Sequence, residues 1–158
     1  MKAYLTIHHK IQELIGVVTG VASLIAAIIM IAVIKDEVPI NTDWNGNVTR
    51  YGSIGFVIIM PIIMLPTILI LLACTHFFPA SSWNLPVKPK PGREAQLYRI
   101  NAYMVTLINM ECGISSLLFT LDMGLGGQKH TGFLGIGLCV VMFATVGWGI
   151  IKSILINR

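Results

Sequence analysis

Residues 14–34 read LIGVVTGVASLIAAIIMIAVI, an unbroken apolar run without a charge. About 20 such residues in a helix cross a hydrocarbon core of about 30 Å. Three more blocks of this kind follow, at residues 54–78, 102–121 and 133–151. Lipid offers no hydrogen-bond partner to open backbone groups, so each block is expected to be a helix. The first is too long for the core of a cleaved signal segment, and no small-x-small site precedes Lys35. It reads as a retained span. The expected fold is an all-α integral membrane protein, one domain of four transmembrane helices in two helical hairpins. A short structured loop joins helices 1 and 2.

Composition agrees with that reading. Of 158 residues, 55% are hydrophobic and 11% charged, whereas soluble domains carry about 25% charge. This excludes a soluble enzyme, a nucleic-acid module and a disordered tail. The net charge is +4, but Lys and Arg flank the apolar blocks, a pattern of membrane orientation rather than nucleic-acid binding. Lys2, Lys10, Lys88, Lys90, Arg93, Arg99, Lys152 and Arg158 fall on one side; Lys35, Arg50 and Lys129 fall on the other. The positive-inside rule then places both termini and the middle loop in the cytoplasm of a multi-pass cell-membrane protein. Trp44, Tyr51 and Phe133 would sit at the outer interface, and Phe78, Trp83, Tyr98 and Trp148 near the inner one. Cys74, Cys112 and Cys139 all lie in apolar blocks, so no disulfide framework is expected.

The linker at residues 79–99 carries Pro86, Pro89 and Pro91. Residues 83–92 are therefore expected to be extended and solvated, with their lysines near anionic lipid. In the first span, Gly16 and Gly20 form a GxxxG continued by Ser23 and Ala27. Such a face lets another backbone approach closely. Packing within one chain is the favoured role, and a homodimer seam is the alternative. Pro61 and Pro66 in the second span free the carbonyls of Val57 and Ile62, which predicts kinks.

Glu111 is the most informative single residue. It sits near the centre of the third span, where an acid costs roughly 2.5–3.5 kcal/mol on insertion scales. At about 100° per residue, Met104, Glu111, Ser115 and Asp122 fall within about 40° of one another. This stripe is expected to face the bundle interior, with Asp122 at the outer interface. Pro66, Thr67, Ser23 and Thr145 lie at similar depth. A protonated carboxyl could donate to the Ile62 carbonyl or to Thr67. The structural reading is a hydrogen bond joining helices. The functional reading is a proton or cation site with an outward path through Ser115 to Asp122.

No metal site or cofactor is expected. His8 and His9 precede the first span, and His9 and Glu13 alone do not make a metal centre. No catalytic motif occurs. A set of Glu111, Asp122 and His130 lacks a nucleophile, so the protein is read as non-enzymatic.

The outer loop, residues 38–53, reads VPINTDWNGNVTRYGS. Asn45-Gly46 signals a type I′ turn, with residues 42–44 and 47–49 as flanking strands. Asp43, Asn45, Asn47 and Thr49 imitate a calcium loop, but its twelfth position is Ile54, where an acid is required. The run Pro39-Ile40-Asn41, then Trp44, Gly46 and Arg50-Tyr51-Gly52-Ser53, followed by an apolar helix with Pro61, resembles the domain-of-unknown-function family numbered 1648. That family consists of bacterial integral membrane proteins, among them Sdp-type immunity proteins. Its pattern is roughly P-x-H-[FW]-N-x-x-G-x-x-D-x-[YW]-G-S ahead of a span. A gapless fit keeps Pro39, Gly46, Tyr51, Gly52 and Ser53. Asn41 stands at the family's His, Asp43 at its Asn and Thr49 at its Asp.

The resemblance implies a toxin-immunity or antimicrobial-peptide resistance role, with Asn41, Asp43, Trp44, Asn45, Arg50 and Tyr51 as the recognition surface. The alternatives are a transporter or channel component built on Glu111, and an accessory subunit of a membrane complex. The expected partners are the lipid bilayer, a peptide or membrane protein, and a second copy of the chain; nucleic acid is not among them.

Overall fold

The computed structural model describes residues 4–43, 45, 47–126 and 131–158. The chain is mostly helical, with four helices long and apolar enough to cross a membrane. The helices are α1 (Ile7–Val33), α2 (Ile59–His76), α3 (Glu94–Gly124) and α4 (Thr131–Ile156); a two-stranded hairpin, β1 (Val38–Thr42) and β2 (Val48–Gly52), joins the first two. One end of the bundle carries this hairpin, and the other carries the chain termini and the linker between α2 and α3.

Two helices start earlier than hydropathy predicts. α1 begins seven residues before Leu14 because its polar first turns are buried rather than solvated: His9, Gln12 and Glu13 all pack inside. Its start is held by Thr6, whose N–H donates to His9 Nδ1 at 3.0 Å, a histidine filling the Glu/Gln place of a capping box. α3 begins at Glu94, well inside the expected linker. At 31 residues it is about 46 Å long, longer than the hydrocarbon core.

The second span is not one continuous α-helix. Residues Ile54–Ile58 form a tighter 3₁₀ segment, started by Ser53 Oγ accepting from Gly55 N–H at 3.2 Å. Pro61 then falls in the first turn of α2, where its missing donor costs little. The kink expected there is instead this change of helix type; Pro66 alone is interior.

The tightest seam joins α1 to α3. A β-carbon at Gly16 would collide with Asn109, and one at Gly113 with the Gly16 carbonyl. Gly20 faces Ile68 of α2, at 2.7 Å from its Cδ1 to the added carbon. The GxxxG face is therefore consumed within the chain, and Gly16 and Gly20 are not open to a second copy. α4 packs on α3, and its other faces carry exposed Ile136, Val140, Phe143 and Ile151.

At the hairpin end, Val38, Ile54 and Val57 pack on Ala27 and Met30. The strands pair Val38 with Gly52, Pro39 with Tyr51, Asn41 with Arg50 and Thr42 with Val48, leaving Ile40 and Thr49 as bulged residues. The strands end at Thr42 and begin again at Val48, rather than at residues 44 and 47; the expected Asn45-Gly46 turn includes Gly46, outside the described residues. Asp43 organises the described part of the loop. Its Oδ1 accepts from the N–H groups of Asn45 (2.9 Å) and Asn47 (2.8 Å), and its own N–H donates to the Asn47 carbonyl. The side chain thus satisfies backbone donors beyond the last paired residues of the strands.

The linker is pinned rather than free. Asn157, just beyond α4, accepts from Lys90 N–H at 2.9 Å and donates to the Lys88 carbonyl at 2.8 Å.

Candidate functional site

α3 is the polar hub of the bundle. Successive polar residues rotate around it by about 100° each, so each addresses a different neighbour. Asn101 donates to Ser153 on α4 at 3.2 Å. Thr106 donates to Gln12 on α1 at 2.7 Å. Asn109 donates to the Ile68 carbonyl of α2 at 2.9 Å. Ser116 and Thr120 share the Ser23 hydroxyl of α1, at 2.8 and 2.9 Å. These contacts satisfy buried groups that lipid cannot, save Asn109 Oδ1, which lies against Gly16 without a hydrogen-bond partner among the described residues.

Glu111 belongs to this series but is only half satisfied. Thr145 on α4 donates to its Oε1 at 2.5 Å. Oε2 is buried without a hydrogen-bond partner among the described residues. The carboxyl borders a groove of about 270 Å³ between α3 and α4, whose walls include Ile114, Leu118, Phe133, Leu138 and Val141. The stripe inferred from sequence does turn inward: Glu111 and Ser115 line the groove, and Met104 lies against Gly149 of α4.

Two parts of the predicted site are corrected. Thr67 is not beside Glu111; its hydroxyl donates to the Ile63 carbonyl of its own helix at 2.9 Å. Ile62, whose carbonyl Pro66 frees, is on the exposed face of α2. Glu111 instead faces α4, because α2 and α4 pack on different sides of α3. The Ser115 hydroxyl donates to the backbone carbonyl of Glu111 at 2.6 Å and so does not bridge to Asp122. Asp122 stands at the hairpin end of α3, half-buried.

A second acid was missed by the sequence reading. Glu13 is buried at the termini end, where Thr75 donates to its Oε1 at 2.7 Å and His76 pairs with its Oε2 at 2.9 Å. The available signal was topological. Glu13 opens the first span and His76 closes the second, so an antiparallel pair puts them at one depth. His9, expected at the interface, is 2% exposed. With Nδ1 accepting from Thr6, its Nε2 donates to the Arg99 carbonyl at 3.3 Å.

The outer hairpin presents Asn41, Asn45, Arg50 and Tyr51 on its exposed surface, Tyr51 being 57% exposed. Asp43 is half-buried and engaged with the turn backbone, including Asn47 Nδ2 at 3.0 Å. Trp44, Gly46 and His130 lie outside the described residues. Among the described residues no cluster of His, Cys, Asp or Glu has the make-up of a metal site, and Cys74, Cys112 and Cys139 are free thiols. Comparison with known protein families, with curated proteins and with solved structures finds no match to the chain.

Proposed function

We propose that the protein is a non-enzymatic, multi-pass membrane protein of bacterial type that recognises a peptide at the outer face, in a toxin-immunity or antimicrobial-peptide resistance role. In this reading both termini are cytoplasmic, in line with the excess of Lys and Arg at that end. One observation carries it. The hairpin is clamped to the helices through buried Val38, while Asn41, Arg50 and Tyr51 remain exposed on one small, braced platform. A surface fixed by a rigid scaffold loses little conformational freedom when it binds. The resemblance to the family numbered 1648 falls on the same segment.

The test is survival of cells expressing the protein when challenged with membrane-active bacterial peptides. Protection by the wild-type chain, reduced about 5- to 10-fold in inhibitory concentration by Arg50→Ala or Tyr51→Ala, is the expected result. Full protection by the double variant removes the hairpin from the recognition surface. Absence of protection against any peptide tested removes the immunity role.

A transport reading rests on a different observation, the half-satisfied acid at Glu111. It requires proton- or cation-dependent flux in liposomes that Glu111→Gln abolishes. Equal flux by wild type and variant would eliminate it.

A further inference from the structure

The groove between α3 and α4 is lined by Glu111, whose carboxyl the packing of this chain uses only in part. Glu111 is 9% exposed, and its Oε2 is without a partner among the described residues. The apolar walls run along residues 111–119 of α3 and 133–141 of α4, about 12 Å of each axis. A volume near 270 Å³ exceeds the roughly 150 Å³ that holds a benzene ring, so the groove admits one long side chain and a neighbour. On the α4 side Gly137 lines it, and nothing stands within 4 Å of the place where its β-carbon would be. Bare backbone of this kind is what close helix approach uses. At Gly16 and Gly113 the chain fills such space itself; at Gly137 it does not.

The chemistry of the occupant follows from the unused oxygen. A carboxylate oxygen in hydrocarbon takes a hydrogen-bond donor or a cation, and intramembrane acids characteristically pair with bases. This chain has no mid-span base to offer from a second copy. None of its four apolar blocks contains Lys or Arg, and the one histidine among them, His76, lies at the end of its block.

We propose that the α3–α4 groove seats a transmembrane helix of another molecule, apolar except for one lysine or arginine at mid-span, whose cation pairs with the Glu111 carboxyl while its backbone lies on Gly137. This inference is independent of the hairpin reading: the site is at mid-depth and uses no hairpin residue.

The experiment uses the full-length protein in phosphatidylcholine vesicles with a synthetic Leu/Ala helix of about 20 residues bearing one central lysine, and the same helix without it. Association is followed by energy transfer between labelled partners. The lysine helix is expected to bind about tenfold more tightly than the apolar one, the scale of an interhelical polar contact in lipid. Glu111→Gln, which can still accept from Thr145, should erase that preference, whereas Glu13→Gln should keep it. Gly137→Leu, whose side chain enters open space, should weaken binding of the lysine helix without loss of the fold. Equal binding of the two helices overturns the proposal. So does a preference that survives Glu111→Gln, undiminished binding by Gly137→Leu, or self-association through Gly137 with no affinity for the lysine helix. If Glu111→Gln does not fold, the Gly137→Leu result decides.

Discussion

The α1–α3 seam and the α3–α4 groove share one helix, and each holds one unpartnered buried oxygen, Asn109 Oδ1 and Glu111 Oε2. They differ in how closely the neighbouring helix fills the space around it. Along the seam, glycines lie against backbone and each hydroxyl of Ser23, Ser116 and Thr120 has a partner. Along the groove, a glycine faces open space and a carboxylate is half satisfied. The same residue types therefore mean different things on the two faces of α3. Small and polar residues that meet their own chain build the fold. Small and polar residues that meet nothing are available for something else.

The sharpest way to break this contrast is a pair of glycine substitutions. Gly113→Leu forces a side chain into the Gly16 carbonyl, which the backbone cannot yield to. It is expected to cost 3 kcal/mol or more, roughly the upper range for overpacking, and to abolish folded protein in a thermal-melt or size-exclusion assay. Gly137→Leu should melt within about 0.5 kcal/mol of wild type. Similar behaviour of the two would show that the groove is as closely packed as the seam.

Next in size is the ion pair at the termini end. His76→Ala leaves Glu13 buried with Thr75 as its remaining partner, an expected loss of about 2–3 kcal/mol. Glu13→Gln leaves behind a histidine that is 42% exposed and can turn to water, so about 1 kcal/mol is expected. Reversed order in unfolding measurements would mean that Glu13 reaches water more readily than its burial indicates.

Ser23→Ala removes a hydroxyl shared by those of Ser116 and Thr120 and is expected to cost about 0.6–1.7 kcal/mol, from the mean to the maximum for interhelical hydrogen bonds in a membrane protein. The smallest effect belongs to Glu111→Gln. Its Oε2 makes no hydrogen bond that could be lost, so stability should stay within about 0.5 kcal/mol or rise. A loss near that of His76→Ala would place Glu111 among the fold-building polar residues.

Much of this arrangement is legible in the sequence. The four spans follow from uncharged length, and the inward turn of Met104, Glu111 and Ser115 follows from helical spacing. The close approach at Gly16 and Gly20 follows from their small size. What was not legible is which neighbour each residue meets. Depth put Thr67, Ser23 and Thr145 level with Glu111, and the freed Ile62 carbonyl or Thr67 was the expected partner; only the side of α3 on which α2 and α4 pack shows that it is Thr145. Hydropathy also hides polar residues that are buried just outside a span. Glu13 and His9 read as interfacial because their windows are mixed, yet the helix continues through them on the strength of their partners. The hairpin itself was legible, but the bonds that Asp43 makes to the loop backbone were not, because an Asp reads equally well as an exposed loop residue.

Asn157 has a mechanical meaning. It ties the end of α4 to the backbone of Lys88 and Lys90, next to the point where Ser153 meets Asn101. α4 is 26 residues long, about 39 Å, and Thr145 fastens its middle to Glu111. Its end is fastened to the linker by a side-chain amide. That amide couples the proline-rich linker to the helix that walls the groove, so the two cannot part without breaking both bonds at Asn157.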